Sequence, residues 1–172
     1  YTYSSSDWVV FDMAAYAKCG FGANTTNTQN YLDLTINDLA GTTPLVIDRA
    51  KAEIVLAALG IDSTKLTPYG SETAYSNAAK LAAMDLGSSH YTAPWVLLAE
   101  QAGQLELTKT QRDSMISLLI SSSNLGDDGL FFTKWAGETY ADPDTTGTAL
   151  AALAAYADRS DVKTFIDKAV AG

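Results

Sequence analysis

Apolar segments rich in small residues recur along this chain, and they constrain its fold more than any other feature. They cover residues 6–20, 46–60, 91–103 and 142–158. The first three end in glycine, at Gly20, Gly60 and Gly103, roughly 40 residues apart, a spacing typical of helical-hairpin repeats. Because glycine directly after a helix is the usual left-handed stop, each of these segments is predicted to be a helix that ends there.

A second set of segments carries apolar residues on one helical face only. In the last of them, Val162, Phe165, Ile166 and Ala169 fall on one stripe. A helix that is apolar all round must be covered on every side, whereas a one-faced helix can meet water. The alternation predicts an all-α fold of about four helical hairpins with inner and outer layers, in a single domain over residues 1–172. The one-faced segments are 26–41, 77–87, 108–124 and 160–172.

Composition excludes several classes of protein. Hydrophobic residues make up 47% and charged residues 18% of the chain, a balance too apolar for disorder. The net charge of −9 argues against a nucleic-acid surface and against docking on anionic lipid, since both need clustered Lys and Arg. No apolar run reaches the length of a membrane span, so we expect no membrane insertion. Many Ser, Thr, Asn and Asp with few Lys suit an extracellular or cell-surface bacterial protein.

Several kinds of catalytic site require residues that this sequence lacks. Cys19 is the only cysteine and His90 the only histidine, so a zinc site with three protein ligands is not expected. We expect Cys19 to be buried in its apolar helix and His90 to lie on the surface or in a loop. The Gly-Asp-Asp-Gly at 126–129 lacks the spacing of an EF-hand calcium loop. We therefore predict neither a metal nor a cofactor.

Three phrases carry a resemblance to a known family: "SDWVVFDMAAY", "YTAPWVLLAEQAG" and "DPDTTGTALAALAAY". They resemble the prenyltransferase/squalene-oxidase-type repeat of bacterial extracellular proteins, within the terpenoid cyclase and prenyltransferase superfamily. The resemblance implies an α/α toroid. Because closed toroids of this superfamily have more hairpins than the sequence offers, we expect a partial or open toroid with an apolar edge at each end. Two copies that pair through those edges would form a homodimer.

Two carboxylates, Asp142 and Asp144, stand on either side of Pro143 at the start of the fourth apolar segment. Class II terpene cyclases protonate their substrate with the middle Asp of Asp-x-Asp-Asp followed by Thr. The resemblance places Asp144 in that role, but Thr145 replaces the third carboxylate. The alternative that we favour makes Asp142 the N-cap, Pro143 the first helical residue and Asp144 a first-turn charge that the helix dipole stabilises. A cap and a ligand contact can coexist.

Further candidate residues for ligand binding lie in two places. Asp12 interrupts an apolar helix one turn after Trp8, and a buried carboxylate must find donors or take up a proton. It either faces a central cavity or, as we favour, makes a structural hydrogen bond. Trp135 and Tyr140 belong to an insertion beside Asp142, and long loops on a rigid scaffold often carry function. The alternative for these aromatic residues is plain core. Phe132 and its neighbours, in 129–135, favour a brief β-hairpin.

Because the residues of each catalytic site considered above are incomplete, we do not expect catalysis to be the function. We expect a non-catalytic ligand-binding or protein-interaction module of a bacterial extracellular or cell-surface protein. Its partner would be an unidentified small apolar ligand or another protein. One alternative is a terpene-cyclase-like enzyme with Asp144 as general acid. Another is a cobalamin-type small-molecule carrier, because the Asp-Thr-Thr-Gly at 144–147 is similar to the opening of helices in such carriers.

Overall fold

The computed structural model describes residues 7–20 and 25–171, and within them the chain is mostly helical, with one small sheet. The helices are α1 (Asp7–Lys18), α2 (Thr25–Ala40), α3 (Val46–Leu59), α4 (Asn77–Ala82), α5 (Ala93–Gln101), α6 (Lys109–Ile120), α7 (Pro143–Leu153) and α8 (Ser160–Ala171). A 3₁₀ turn, Ala154–Tyr156, follows α7, and the sheet pairs β1 (Phe132–Trp135) with β2 (Glu138–Ala141). The all-α prediction is confirmed, and every segment expected to be helical contains a helix.

The described residues fall into two compact units. The first comprises the residues up to Asp85 together with Ala102–Glu106, and so contains α1 to α4. The second comprises Leu86–Gln101 and the residues from Leu107 onward, and contains α5 to α8 with the β-hairpin. The toroid and the single domain over residues 1–172 therefore stay predictions.

The predicted glycine stops are confirmed. Gly20, Gly60 and Gly103 have φ of +88°, +75° and +102°. At the end of α3, the N–H of Gly60 donates to Ala57 O, and the following N–H, of Ile61, donates to Leu56 O at 2.8 Å. This pair of bonds closes the last turn and requires a left-handed residue at position 60, which glycine adopts without steric cost.

Two of the four apolar helices are enclosed as expected, and two are not. No residue of α3 from Arg49 to Leu59 is exposed, and in α5 only Gln101 is exposed. The expectation is wrong for α1 and α7, where Ala15 and Ala151 are among several exposed residues. Alanine tolerates both environments, so an alanine-rich pattern does not by itself distinguish a covered helix from one with a wet face.

A buried polar network connects three helices of the first unit. Arg49 in α3 is only 3% exposed, and its guanidinium donates to Leu39 O and Gly41 O at the end of α2, at 2.8 and 2.9 Å, and to Asn77 Oδ1 in α4 at 2.8 Å. Asn77 in turn donates from Nδ2 to Glu53 Oε1 at 2.6 Å. The network therefore satisfies the last carbonyls of α2 and fixes α4 against α3.

The carboxyl group of Glu53 completes this network. It is 1% exposed and also accepts the hydroxyl hydrogen bond of Ser63 at 2.6 Å. Burial raises the pKa of Glu53, and the hydrogen bonds from Ser63 and Asn77 only partly oppose that effect. An acid whose pKa is raised by folding stabilises the fold while it is protonated, and loses that contribution as the pH rises through its folded-state pKa.

The second unit has an apolar centre fastened by an ion pair. Val96, Leu97, Ile116, Leu119 and Leu153 are fully buried, from α5, α6 and α7. In the same unit, Arg112 Nε donates to Glu100 Oε2 at 2.8 Å, and Tyr156 Oη donates to that oxygen at 2.9 Å. Of the stripe predicted for α8, Val162, Phe165 and Ala169 are buried and Ile166 is half-buried.

We predict that Glu53→Gln stabilises the protein increasingly as the pH rises. Gln keeps the shape of the side chain but carries no charge, so the cost of ionising Glu53 is absent. The free energy of unfolding of the variant minus that of the wild type should therefore increase from about pH 4 to about pH 8. Urea unfolding at several pH values measures it. The matched control is exposed Glu72→Gln, expected to change the free energy of unfolding by less than about 0.5 kcal/mol. A difference that stays constant with pH would contradict the prediction.

Candidate functional site

An exposed β-hairpin precedes α7 in the second unit. Its strands are antiparallel, with Phe132 opposite Ala141. Ala136 and Gly137 form the turn, and both have positive φ, +52° and +89°, as a two-residue type I′ turn requires. Every residue of β2 is exposed. A hairpin is present, but its predicted bounds of 129–135 are wrong, because only β1 lies there and its partner is β2.

Phe131 attaches the hairpin to the unit. Its side chain is 1% exposed. Its backbone N–H donates to Thr146 Oγ1 at 2.9 Å, and its carbonyl accepts the N–H of Asp142 at 2.9 Å. Thr146 lies in the first turns of α7, so two backbone hydrogen bonds and a buried ring hold the hairpin at the start of this helix.

Asp142 caps α7. Its Oδ1 accepts the N–H of Thr145 at 2.9 Å, and its Oδ2 accepts the hydroxyl of the same residue at 2.9 Å. Pro143 is the first helical residue, and Asp144 lies exposed in the first turn. The cap interpretation of this motif is confirmed. An exposed carboxylate beside the positive end of a helix dipole lacks the desolvation that prepares a general acid.

The structure separates the predicted site residues. Tyr140, 51% exposed, together with Asp142 and Asp144, forms one short surface stretch in the second unit, which we call the hairpin–α7 surface. Asp12 belongs to the first unit and is exposed, so the expectation that it is a buried carboxylate is wrong, because α1 has a wet face. The side chains of Trp8 and Trp135 lie outside the described residues.

The prediction for Cys19 is wrong, and that for His90 is confirmed. Cys19 is exposed and follows the last residue of α1 rather than being buried within the helix. His90 lies in a turn before α5, as expected of a loop residue, but it is partly buried. Its ring stacks on Phe131 with centroids 5.4 Å apart and planes 10° apart. Burial lowers the pKa of His90, and the negative charge of Asp142 opposes that effect.

A cleft of about 660 Å³ lies in the first unit. Its lining includes three carboxylates, those of Asp7, Asp38 and Asp48. Two of them have structural partners, since Tyr31 Oη donates to Asp7 at 2.7 Å and the N–H of Leu45 donates to Asp48 at 2.9 Å. Within residues 7–20 and 25–171, no three His, Cys, Asp or Glu side chains come together as metal ligands would.

No family model matches the chain, and neither a curated protein nor a solved structure matches it. The resemblance to the prenyltransferase/squalene-oxidase-type repeat therefore stays a prediction. Among the described helices, none has the length and apolar character needed to cross a membrane.

We predict that Asp142→Ala lowers the free energy of unfolding by about 1 kcal/mol, because α7 loses its N-cap. Asp142→Asn is the matched control and should retain most of the stability, because its side-chain oxygen can still accept from the N–H of Thr145. Asp144→Ala should cost less than Asp142→Ala, since only a dipole interaction is lost. Thermal unfolding of the three variants gives the order. Equal losses for Asp142→Ala and Asp144→Ala would contradict the cap assignment.

Proposed function

We propose that this chain is a non-catalytic ligand-binding or protein-interaction module of a bacterial extracellular or cell-surface protein, and that the hairpin–α7 surface makes the contact. The observation that carries the proposal is the state of the two carboxylates in that surface. Both oxygens of Asp142 accept hydrogen bonds from Thr145, while Asp144 is open to water. Acid catalysis on an apolar substrate needs a carboxyl group that is held protonated in a dry pocket, so this arrangement favours binding over catalysis.

The way the hairpin is mounted supports the same function. Phe131 is buried and hydrogen-bonded at the base, whereas all of β2 faces solvent. A rigid base with an exposed strand presents backbone groups and the ring of Tyr140 to a partner at little cost in conformational entropy. Exposed Tyr side chains are frequent anchors in binding surfaces, because the ring is large and has few rotatable bonds.

A single apolar probe tests binding and catalysis together. Farnesol is titrated into the full chain by calorimetry, and the mixture is then examined for cyclised product by mass spectrometry. We expect binding without product. Tyr140→Ala should weaken binding by about tenfold, on the scale of a contact worth about 1.4 kcal/mol. The matched control is Tyr69→Ala, a change at a tyrosine of the first unit that is 87% exposed, and it should leave binding unchanged.

Two results would count against this function. Cyclised farnesol that the wild type produces and Asp144→Asn does not would replace it with the enzyme alternative. If the wild type does not bind farnesol, the proposal that the ligand is a small apolar molecule is contradicted, and the proposal of a protein partner remains. Sedimentation velocity then tests whether the chain associates with itself. Self-association that Tyr140→Ala weakens supports the interaction form, and a strictly monomeric chain contradicts pairing of two copies.

A further inference from the structure

The aromatic ring of Phe131 packs residues 125–141 against the rest of the second unit. Among the described residues of this segment, only Phe131 and Gly129 are buried. The ring of Phe131 meets that of Phe165 in α8 edge to face, with centroids 6.4 Å apart, and stacks on the imidazole of His90. The position of the segment therefore depends on the groups that contact Phe131, together with the close approach of the Gly129 backbone to Lys168 and Ala169 in α8.

His90 contributes an unusual group to this contact. Among the described side chains, its Nε2 is the one buried nitrogen or oxygen that has no hydrogen-bond partner. A neutral imidazole can leave one ring nitrogen unprotonated, whereas an imidazolium carries a donor on both nitrogens. Protonation of His90 would therefore put a positive charge and an N–H donor at a buried position that offers no acceptor, which is costly.

The charges around His90 do not remove that cost. Its ring contacts are with Tyr91, at a centroid distance of 4.0 Å, and with Phe131. The one charged group of the described residues whose attraction opposes the burial is Asp142, at the start of α7. Burial outweighs this attraction, so the folded protein favours neutral His90.

We propose that His90 is a pH-sensitive latch: neutral, it holds Phe131 and the segment 125–141 in place, and protonated in mildly acidic solution, it releases them. The closed form binds a proton less readily than the open form does. Closure is therefore fully favoured above the usual pKa of histidine and is lost as the pH falls through the closed-state pKa. The segment ends in the hairpin, so acidification would alter the surface around Tyr140. This inference stands without the proposed function.

Because His90 is the only histidine, a nuclear magnetic resonance titration of the wild type reads its pKa without ambiguity. We expect a midpoint below the usual value of about 6.5. Amide hydrogen exchange, corrected for the pH dependence of the intrinsic rate, then follows the N–H of Phe131 from about pH 7.5 to about pH 4.5. Over this pH range the protection factor of the Phe131 N–H should fall by about tenfold for each pH unit by which the measured midpoint of His90 lies below 6.5. The N–H of Leu119, in α6 of the same unit, reports opening of the unit as a whole and should stay better protected than that of Phe131 at every pH.

The variant His90→Phe keeps an aromatic ring against Phe131 and cannot be protonated. Its Phe131 protection should not respond to pH over this range. The latch is refuted if the His90 midpoint lies at or above 6.5, if the N–H of Phe131 is as well protected as that of Leu119 at every pH, or if a folded His90→Phe shows the same pH response as the wild type. The first two measurements use the wild type alone, so they decide the matter even if the variant fails to fold.

Discussion

The guanidinium of Arg49 is the group on which the first unit most depends. A buried charge is tolerated only when its donors are used, and Arg49 uses them on Leu39 O, Gly41 O and Asn77 Oδ1. Burial lowers the pKa of Arg49, while the nearby groups Tyr75, Asp38 and Asp48 favour its charged form. The side chain of Arg49, from α3, thus hydrogen-bonds to carbonyl groups at the end of α2 and to the first residue of α4. These bonds fix the positions of α2 and α4 relative to α3.

A second cation reinforces the same helix end. Lys80 in α4 donates to Ala40 O at 2.6 Å, and its ammonium lies 4.9 Å from the ring centroid of Tyr75. Tyr75 itself donates to Ile36 O at 2.6 Å. The last carbonyls of α2 are therefore met by positive side chains from α3 and α4, which is the favourable arrangement for the negative end of a helix dipole. These polar contacts act beside the buried apolar side chains of the first unit, which include the packed cluster of Val10, Tyr31 and Val55.

The second unit is also held together by apolar packing and buried polar contacts, and it presents an exposed β-hairpin. Its apolar centre and the Glu100–Arg112 pair hold α5 and α6, and the start of α7 holds the hairpin through Thr146 and Phe131. The exposed strand β2 leads directly into the capped helix α7. A surface of this kind suits recognition, because its backbone groups are fixed in position before any partner arrives.

Local features of the sequence predicted the local features of the fold. The apolar segments and the one-faced segments identified the eight α-helices of the described residues, glycine marked the ends of three segments, and Asp142 with Pro143 marked the start of α7. Each of these signals acts within a few residues. The network around Arg49 could not be predicted, because Leu39, Asn77 and Arg49 meet only after the helices pack. Nor could the contact of His90 with Phe131, residues 41 positions apart, since no pattern near His90 indicates it.

The exposed face of α1 was missed for a related reason. A helix rich in valine, alanine and aromatic residues favours a covered position, and the exposed Asp12 was therefore interpreted as an interruption of a buried surface. Three of the proposed site residues, Tyr140, Asp142 and Asp144, share one surface because they are neighbours in the sequence, whereas Asp12 lies in the other unit.

A double-mutant cycle on Arg49 and Asn77 tests the central role of the buried network most directly. The free energies of unfolding of Arg49→Met, Asn77→Ala and the double variant are compared with that of the wild type. Two side chains joined by a buried hydrogen bond should show a coupling energy of about 0.5–3 kcal/mol. A coupling of about zero, with the two losses simply additive, would contradict the claim that this network determines how α2, α3 and α4 are arranged.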